Sequence, residues 1–176
     1  KDLSGSRSVP DLLDLHADYC HAMNRIHVAT MWSQLGKLSK RKGGAGWLRR
    51  STSRLESLRE HTLRTVSQMD GRGLANVAYG AALSRMGVSL RVMFMALVRV
   101  AERRLGEFKV QELANTAWAF ATLGRRDPKL FDALAAEARP RLCEFTEQAL
   151  ANTAWAFATL GRSDPKLFDA LAAEAR

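Results

Sequence analysis

The chain has 176 residues, of which 47% are hydrophobic, with a formal net charge of +9 and a sequence pI near 10.2. That composition excludes a disordered polymer, and no stretch reaches the roughly 20 apolar residues that a membrane-spanning helix needs. The length fits one compact domain or about four to five helical repeats, and the charge favours an anionic partner, nucleic acid before an acidic protein or a membrane surface.

The charge is uneven. Residues 1–88 hold 14 Lys and Arg against 7 Asp and Glu, whereas residues 89–176 hold 13 against 11. Cys20 and Cys143 do not make a disulfide framework, which points to a reducing compartment. The first residue is Lys1 rather than Met, as expected of a processed product or a fragment.

In chain order, residues 10–26 predict one amphipathic helix through Leu12, Leu13, Leu15, His16, Tyr19 and Met23, so that residues 1–27 form an N-terminal helix or partial repeat. A divergent unit, 28–73, opens at Val28-Ala29-Thr30. Its insertion, Lys40-Arg41-Lys42-Gly43-Gly44-Ala45-Gly46, reads as a flexible basic loop. The next unit, 74–112, opens at Leu74-Ala75-Asn76, with Tyr79 in the place of Trp118 and Trp155 and about two extra residues before Gly87.

Two further units, 113–149 and 150–176, are close copies. Residues 111–139 and 148–176 differ only at Glu112/Ala149 and Arg126/Ser163, and lie 37 residues apart. Such a period marks a repeat array in which each unit buries its apolar face against the next. Within a copy, Gly124 or Gly161 sits where a left-handed residue would stop the first helix, here called helix A. Asp127-Pro128 and Asp164-Pro165 then supply an N-cap and a first helical residue for helix B. Helix B carries an apolar stripe of Leu130, Phe131, Leu134 and Ala138 and is ended by Pro140.

Helix A is apolar or small almost all round, the pattern of an inner-layer helix. Its alanines permit close approach, and Trp118, Trp155 and Phe120 are expected to fill core volume. The predicted fold is therefore all-α, one right-handed α-solenoid of helix-turn-helix repeats over residues 1–176, with about 37–39 residues per repeat. The last unit is expected to be C-terminally truncated, its open face covered by further chain or by another protein.

The blocks LANTAWAFATLG and LANVAYGAALSRMG, each followed by a second helix, resemble the octotricopeptide and heptatricopeptide repeats and the repeats that precede RAP domains in organellar proteins. The segment His27 to Leu38 is similar to an opening unit of the same proteins, and the resemblance covers about residues 10–176. It implies an α-solenoid that binds organellar RNA for processing, stability, translation or ribosome assembly. The nuclease-like RAP domain of some members has no counterpart in the sequence, so the resemblance implies binding rather than cleavage. It also places the protein in an organelle, the mitochondrion ahead of the chloroplast.

Two sets of residues are candidates for that contact. Lys37, Lys40, Arg41, Lys42, Arg49, Arg50 and Arg54 form a cluster without an acidic residue, suited to following a phosphate backbone; the alternative is a solvated loop. Asn76, Asn115 and Asn152 recur at one position of helix A, where an amide can both donate to and accept from bases or backbone; the alternative is a structural ladder satisfying loop backbone groups. Thr116, Thr122, Thr153 and Thr159 share that ambiguity, and Arg125, Arg126 and Arg162 are weaker phosphate candidates at the turns.

His16, Cys20, His21 and His27 lack the spacing of a metal motif, and no nucleophile–base constellation or P-loop is present. Neither a catalytic residue, a metal, a cofactor nor a small-molecule substrate is therefore expected. The expected function is a non-catalytic organellar RNA-binding repeat protein, bound to a transcript or rRNA and to other proteins of an assembly such as an organellar ribosome. The alternative is a protein–protein scaffold within a larger organellar complex.

Overall fold

A computed structural model describes residues 6–50, 52–85 and 90–174; the side chains of Ala45, Arg49, Arg50 and Thr52 lie outside that description. Among the described residues the structure is all-α. In chain order the helices are α1 Val9–Tyr19, α2 Arg25–Ser39, α3 Gly44–Arg50, α4 Thr52–Thr65, α5 Gly71–Ser84, α6 Arg91–Ala101, α7 Val110–Thr122, α8 Pro128–Ala138, α9 Glu147–Thr159 and α10 Pro165–Glu174.

Helices α2, α5, α7 and α9 are the A helices, and each begins three residues ahead of its Val28, Leu74, Leu113 or Leu150. The caps explain the early start. Asn24 Oδ1 accepts from Ile26 N at 3.0 Å, Asp70 Oδ1 from Gly73 N at 2.8 Å, and Thr146 Oγ1 from Ala149 N at 3.2 Å. At α7 the bond runs the other way, Glu112 Oε2 accepting from Lys109 N at 2.9 Å. Unit boundaries at 28, 74, 113 and 150 therefore fall inside helices.

The ends follow the expected grammar in the two close copies. Gly124 and Gly161 have φ of +63° and +64°, and Arg125 N and Arg162 N donate to Phe120 O and Phe157 O at 2.9 Å, a Schellman closure. Asp127 and Asp164 cap α8 and α10. Helix α5 is ended by Arg85, which takes the left-handed conformation; Gly87 lies outside the described residues.

Two further expectations are corrected. The single helix over 10–26 is broken, because α1 ends at Tyr19, a 3-10 turn covers Cys20–Ala22, and Asn24 starts α2. The insertion is not a flexible loop. A tight turn at residues 40–43 leads into α3, with Trp47 N donating to Gly43 O at 2.9 Å. Gly44 lies so close to the end of α2 that a Cβ there would fall 2.4 Å from Leu38 O.

The A helices pack against one another in chain order, α2 on α5, α5 on α7 and α7 on α9. Small residues set the approach. A Cβ on Gly80 would lie 2.0 Å from Trp32 O, so α2 and α5 meet backbone to backbone, and fully buried Ala119 and Ala156 follow Trp118 and Trp155 as Gly80 follows Tyr79. The phenylalanines of α6 and α8 meet the A helix of the following unit: Phe94 stands edge-on to Phe120 at 5.0 Å, and Phe131 to Phe157 at 5.1 Å. Arginines clip the start of a unit to its end, with Arg104 Nη1 donating to Met69 O and Arg141 Nη1 to Phe108 O. One hydrophobic core runs from Val9 to Leu171.

Candidate nucleic-acid interface

Close packing on both neighbours leaves α5 and α7 only one open stripe each. On α7, Leu113, Ala114, Thr116, Ala117, Ala119, Phe120 and Ala121 are all buried. Gln111 is exposed, and Asn115, Trp118 and Thr122 are half-buried. Their spacing of three or four residues places them on one helical face. The matching stripe is Arg72, Asn76, Tyr79 and Leu83 on α5, and Gln148, Asn152, Trp155 and Thr159 on α9. On α2 the same positions are Thr30, Ser33 and Lys37.

Asn76, Asn115 and Asn152 thus share the open face, and the structure does not give them the role of tying down loops. Asn115 Oδ1 accepts from Gln111 Nε2 at 3.1 Å, one turn earlier on the same helix. Asn76 and Asn152 have no side-chain hydrogen bond to any described group. Their amides remain available to a ligand.

The threonines divide. Thr153 Oγ1 donates back to Ala149 O at 2.8 Å, as a helical threonine commonly does. Thr116 Oγ1 and Thr122 Oγ1 are buried atoms without a described partner, and Thr159 is exposed.

The tryptophans require a correction. Trp118 is half-buried and Trp155 is 45% exposed, so neither is enclosed in the core. Because they stand on the one open stripe, the alanines around them fill the helix–helix contacts instead. Tyr79 and Trp118 approach to 5.0 Å between ring centroids, and Trp118 and Trp155 to 6.3 Å, making one aromatic row across three helices. Trp32 is fully buried, with Nε1 donating to Thr62 Oγ1 at 2.8 Å, and belongs to the core.

The basic cluster is split by the fold. Lys37, Lys40, Arg41 and Lys42 are exposed at the C-terminal end of α2 and the turn after it. Arg41 Nη1 also donates to Arg7 O at 3.1 Å. Arg54 forms an ion pair with Asp14 on α1, and its guanidinium lies 5.9 Å from the Trp47 ring. Asp14 offsets that charge in part, the pair being half-exposed. The side chains of Arg49 and Arg50 lie outside the described residues.

The turn arginines have structural duties. Arg162 pairs with Asp132 and donates to Pro128 O at 3.3 Å, bracing adjacent units. Arg125 lies over the Phe94 ring at 4.8 Å, and burial, then the charge of Arg91, holds its guanidinium below the ordinary arginine value. Arg126 is exposed.

Away from this face, His16 and His27 have structural partners. His16 Nε2 lies 3.1 Å from Nδ1 of His61, a long-range partner that sequence spacing does not reveal, and both rings are buried. Burial, then His61, then Arg64, lowers the His16 pKa to about 4; burial and Arg64 lower that of His61. His27 Nδ1 accepts from Asn24 N at 3.1 Å as part of the α2 cap. Among the described residues no three His, Cys, Asp or Glu side chains are grouped to hold a metal ion, and no helix is long and apolar enough to cross a membrane. No protein-family model and no curated protein matches the chain.

Proposed function

We propose that the chain is a right-handed solenoid of helix pairs that binds organellar RNA without cleaving it. In this reading Lys37, Lys40, Arg41 and Lys42 neutralise phosphates at one corner of the array. Bases or sugars meet the column of Asn76, Asn115 and Asn152. The observation that carries the reading is the open stripe: hydrogen-bonding amides stand on one face of successive A helices, with exposed cations at its α2 end. The net charge of +9 and the resemblance to octotricopeptide-type repeats support the same partner. The protein then serves in transcript maturation or translation, or as a component of an organellar ribosome, with the mitochondrion favoured over the chloroplast.

A random single-stranded RNA pool tests this reading. Tight binding at low salt, weakened by the triple substitution Lys40→Gln, Arg41→Gln, Lys42→Gln, is expected. Absence of binding at low salt would sink it.

A second reading is a protein scaffold in a larger organellar complex, supported by the exposed apolar residues Val92 and Met95 on α6. Recovery of one stoichiometric protein partner by a chain that does not bind RNA would favour it.

A further inference from the structure

Helix α6 is apolar on two sides. Its inner stripe, Met93, Phe94, Leu97 and Ala101, is buried in the core. Its outer stripe, Val92, Met95, Ala96 and Arg99, has the i, i+3, i+4, i+7 spacing of a helix that meets a second partner. Val92 is 55% exposed and Met95 50%, and Ala96 beside them is half-buried. This openness does not come from a chain end. Helix α6 lies in the middle of the array, packed on α4 and α5, with two units after it.

The sister helices show that the array does not need apolar residues there. Phe94 and Phe131 make the same edge-on contact with the next A helix, which sets α6 and α8 in register. In that register Val92 stands where α8 has Lys129, and Met95 where it has Asp132; α10 has Lys166 and Asp169. All four charged residues are exposed. Asp132 pairs with Arg162 and braces its unit to the next. Met95 gives up that brace and places an adaptable apolar side chain on the surface instead. Water-facing repeats gain nothing from the exchange, whereas contact with another protein does.

Charge narrows the partner. Helix α6 contains no Asp or Glu; its charged residues are Arg91 and Arg99, and Arg103 follows shortly after its end. All three are exposed, and none forms an ion pair with a described residue. A second copy of the chain, itself at +9, would set arginine against arginine in a two-fold contact. A phosphate backbone gains nothing from Val92 and Met95. The surface fits a segment that is apolar on one face and acidic along its edges.

Resting on the scaffold reading, we infer that the outer face of α6 docks an acidic amphipathic helix of another protein. Its apolar residues seat on Val92, Met95 and Ala96, and its carboxylates meet Arg91, Arg99 and Arg103. The amide column stands on the A helices, so this contact does not require RNA.

The test uses the full chain and a synthetic helical peptide with Leu at i, i+3, i+4 and i+7 and Glu at the flanking positions. A peptide of the same composition in scrambled order is the control. The double substitution Val92→Lys, Met95→Asp installs the residues of α8, so the variant should melt as the parent does. The parent is expected to prefer the amphipathic peptide by about 10-fold or more, and the variant to lose that preference with RNA affinity unchanged. Arg91→Gln with Arg99→Gln should weaken the peptide and make the remaining binding less sensitive to salt.

A variant that keeps the preference overturns the α6 site and leaves the scaffold reading to another surface. A parent that does not distinguish the peptides overturns the acidic-helix partner; the scaffold reading falls with it only if no protein partner is recovered at all. Self-association of the parent, or its binding to anionic lipid vesicles, that the double substitution abolishes while peptide binding is unaffected overturns the proposal in favour of that occupant.

Discussion

Replacing Gly80 with alanine should destabilise the fold out of proportion to one methyl group. Gly80 sits where α5 crosses α2, and its added Cβ would lie 2.0 Å from Trp32 O and 2.3 Å from Trp32 C. An ordinary carbon–oxygen contact is about 3.3 Å, so the helices must separate by more than about 1 Å. The obstructing atoms are backbone, and no rotamer change relieves them. The separation loosens packing around Trp32, Met31 and Leu35, all fully buried.

Overpacking of this kind costs about 1–3 kcal/mol or more, and the better helix propensity of alanine returns only about 1 kcal/mol. A net loss of about 2 kcal/mol lowers Tm by about 4–8 °C in a chain of this size. Circular dichroism melting measures it. Gly106→Ala is the control, because the nearest atoms to its Cβ are 3.9 Å away, and it should change stability by less than about 0.5 kcal/mol. A Gly80→Ala protein as stable as the parent, or more so, would refute the backbone contact between α2 and α5.

Two further predictions concern a buried histidine and the amide column. The His16 pKa is lowered from the usual 6.5 to about 4, so between those values the unfolded chain binds more protons than the folded one. Stability should be full above about pH 6.5 and fall by up to about 3 kcal/mol as pH drops towards 4, and His16→Leu should flatten that slope in pH-dependent urea melts. The double substitution Asn115→Ala, Asn152→Ala should leave Tm within about 2 °C, since only the Gln111 contact is lost, while RNA affinity falls; a large drop in Tm with RNA affinity intact would make the column structural.

Much of the helix-pair grammar was legible because it is local. Gly124, Asp127-Pro128 and Pro140 act on the backbone within a few residues, and each does what its type dictates. The repeated tripeptide lies one turn inside each A helix, because the caps stand earlier at Asn24, Asp70 and Thr146. The apolar sequence neighbours of Trp118 and Trp155 suggest a core, yet both rings stand on the open stripe. In a helix covered by alanine on its other faces, the largest ring is left on the remaining open stripe.

Long-range pairs were not legible. His16 meets His61 and Arg54 meets Asp14 only because α4 folds back on α1, and no spacing within either helix encodes it. The charge of the basic insertion is legible in the sequence, and its conformation is not. Its glycines pass the chain under the end of α2 and into α3 rather than loosening it.

The most direct test of the account is the salt dependence of binding to single-stranded RNA. Four exposed cations, Lys37, Lys40, Arg41 and Lys42, predict a slope of log affinity against log salt of about −3, reduced to about −1 when Lys40, Arg41 and Lys42 are neutralised. A slope near zero, or one that the triple substitution leaves unchanged, would contradict the account.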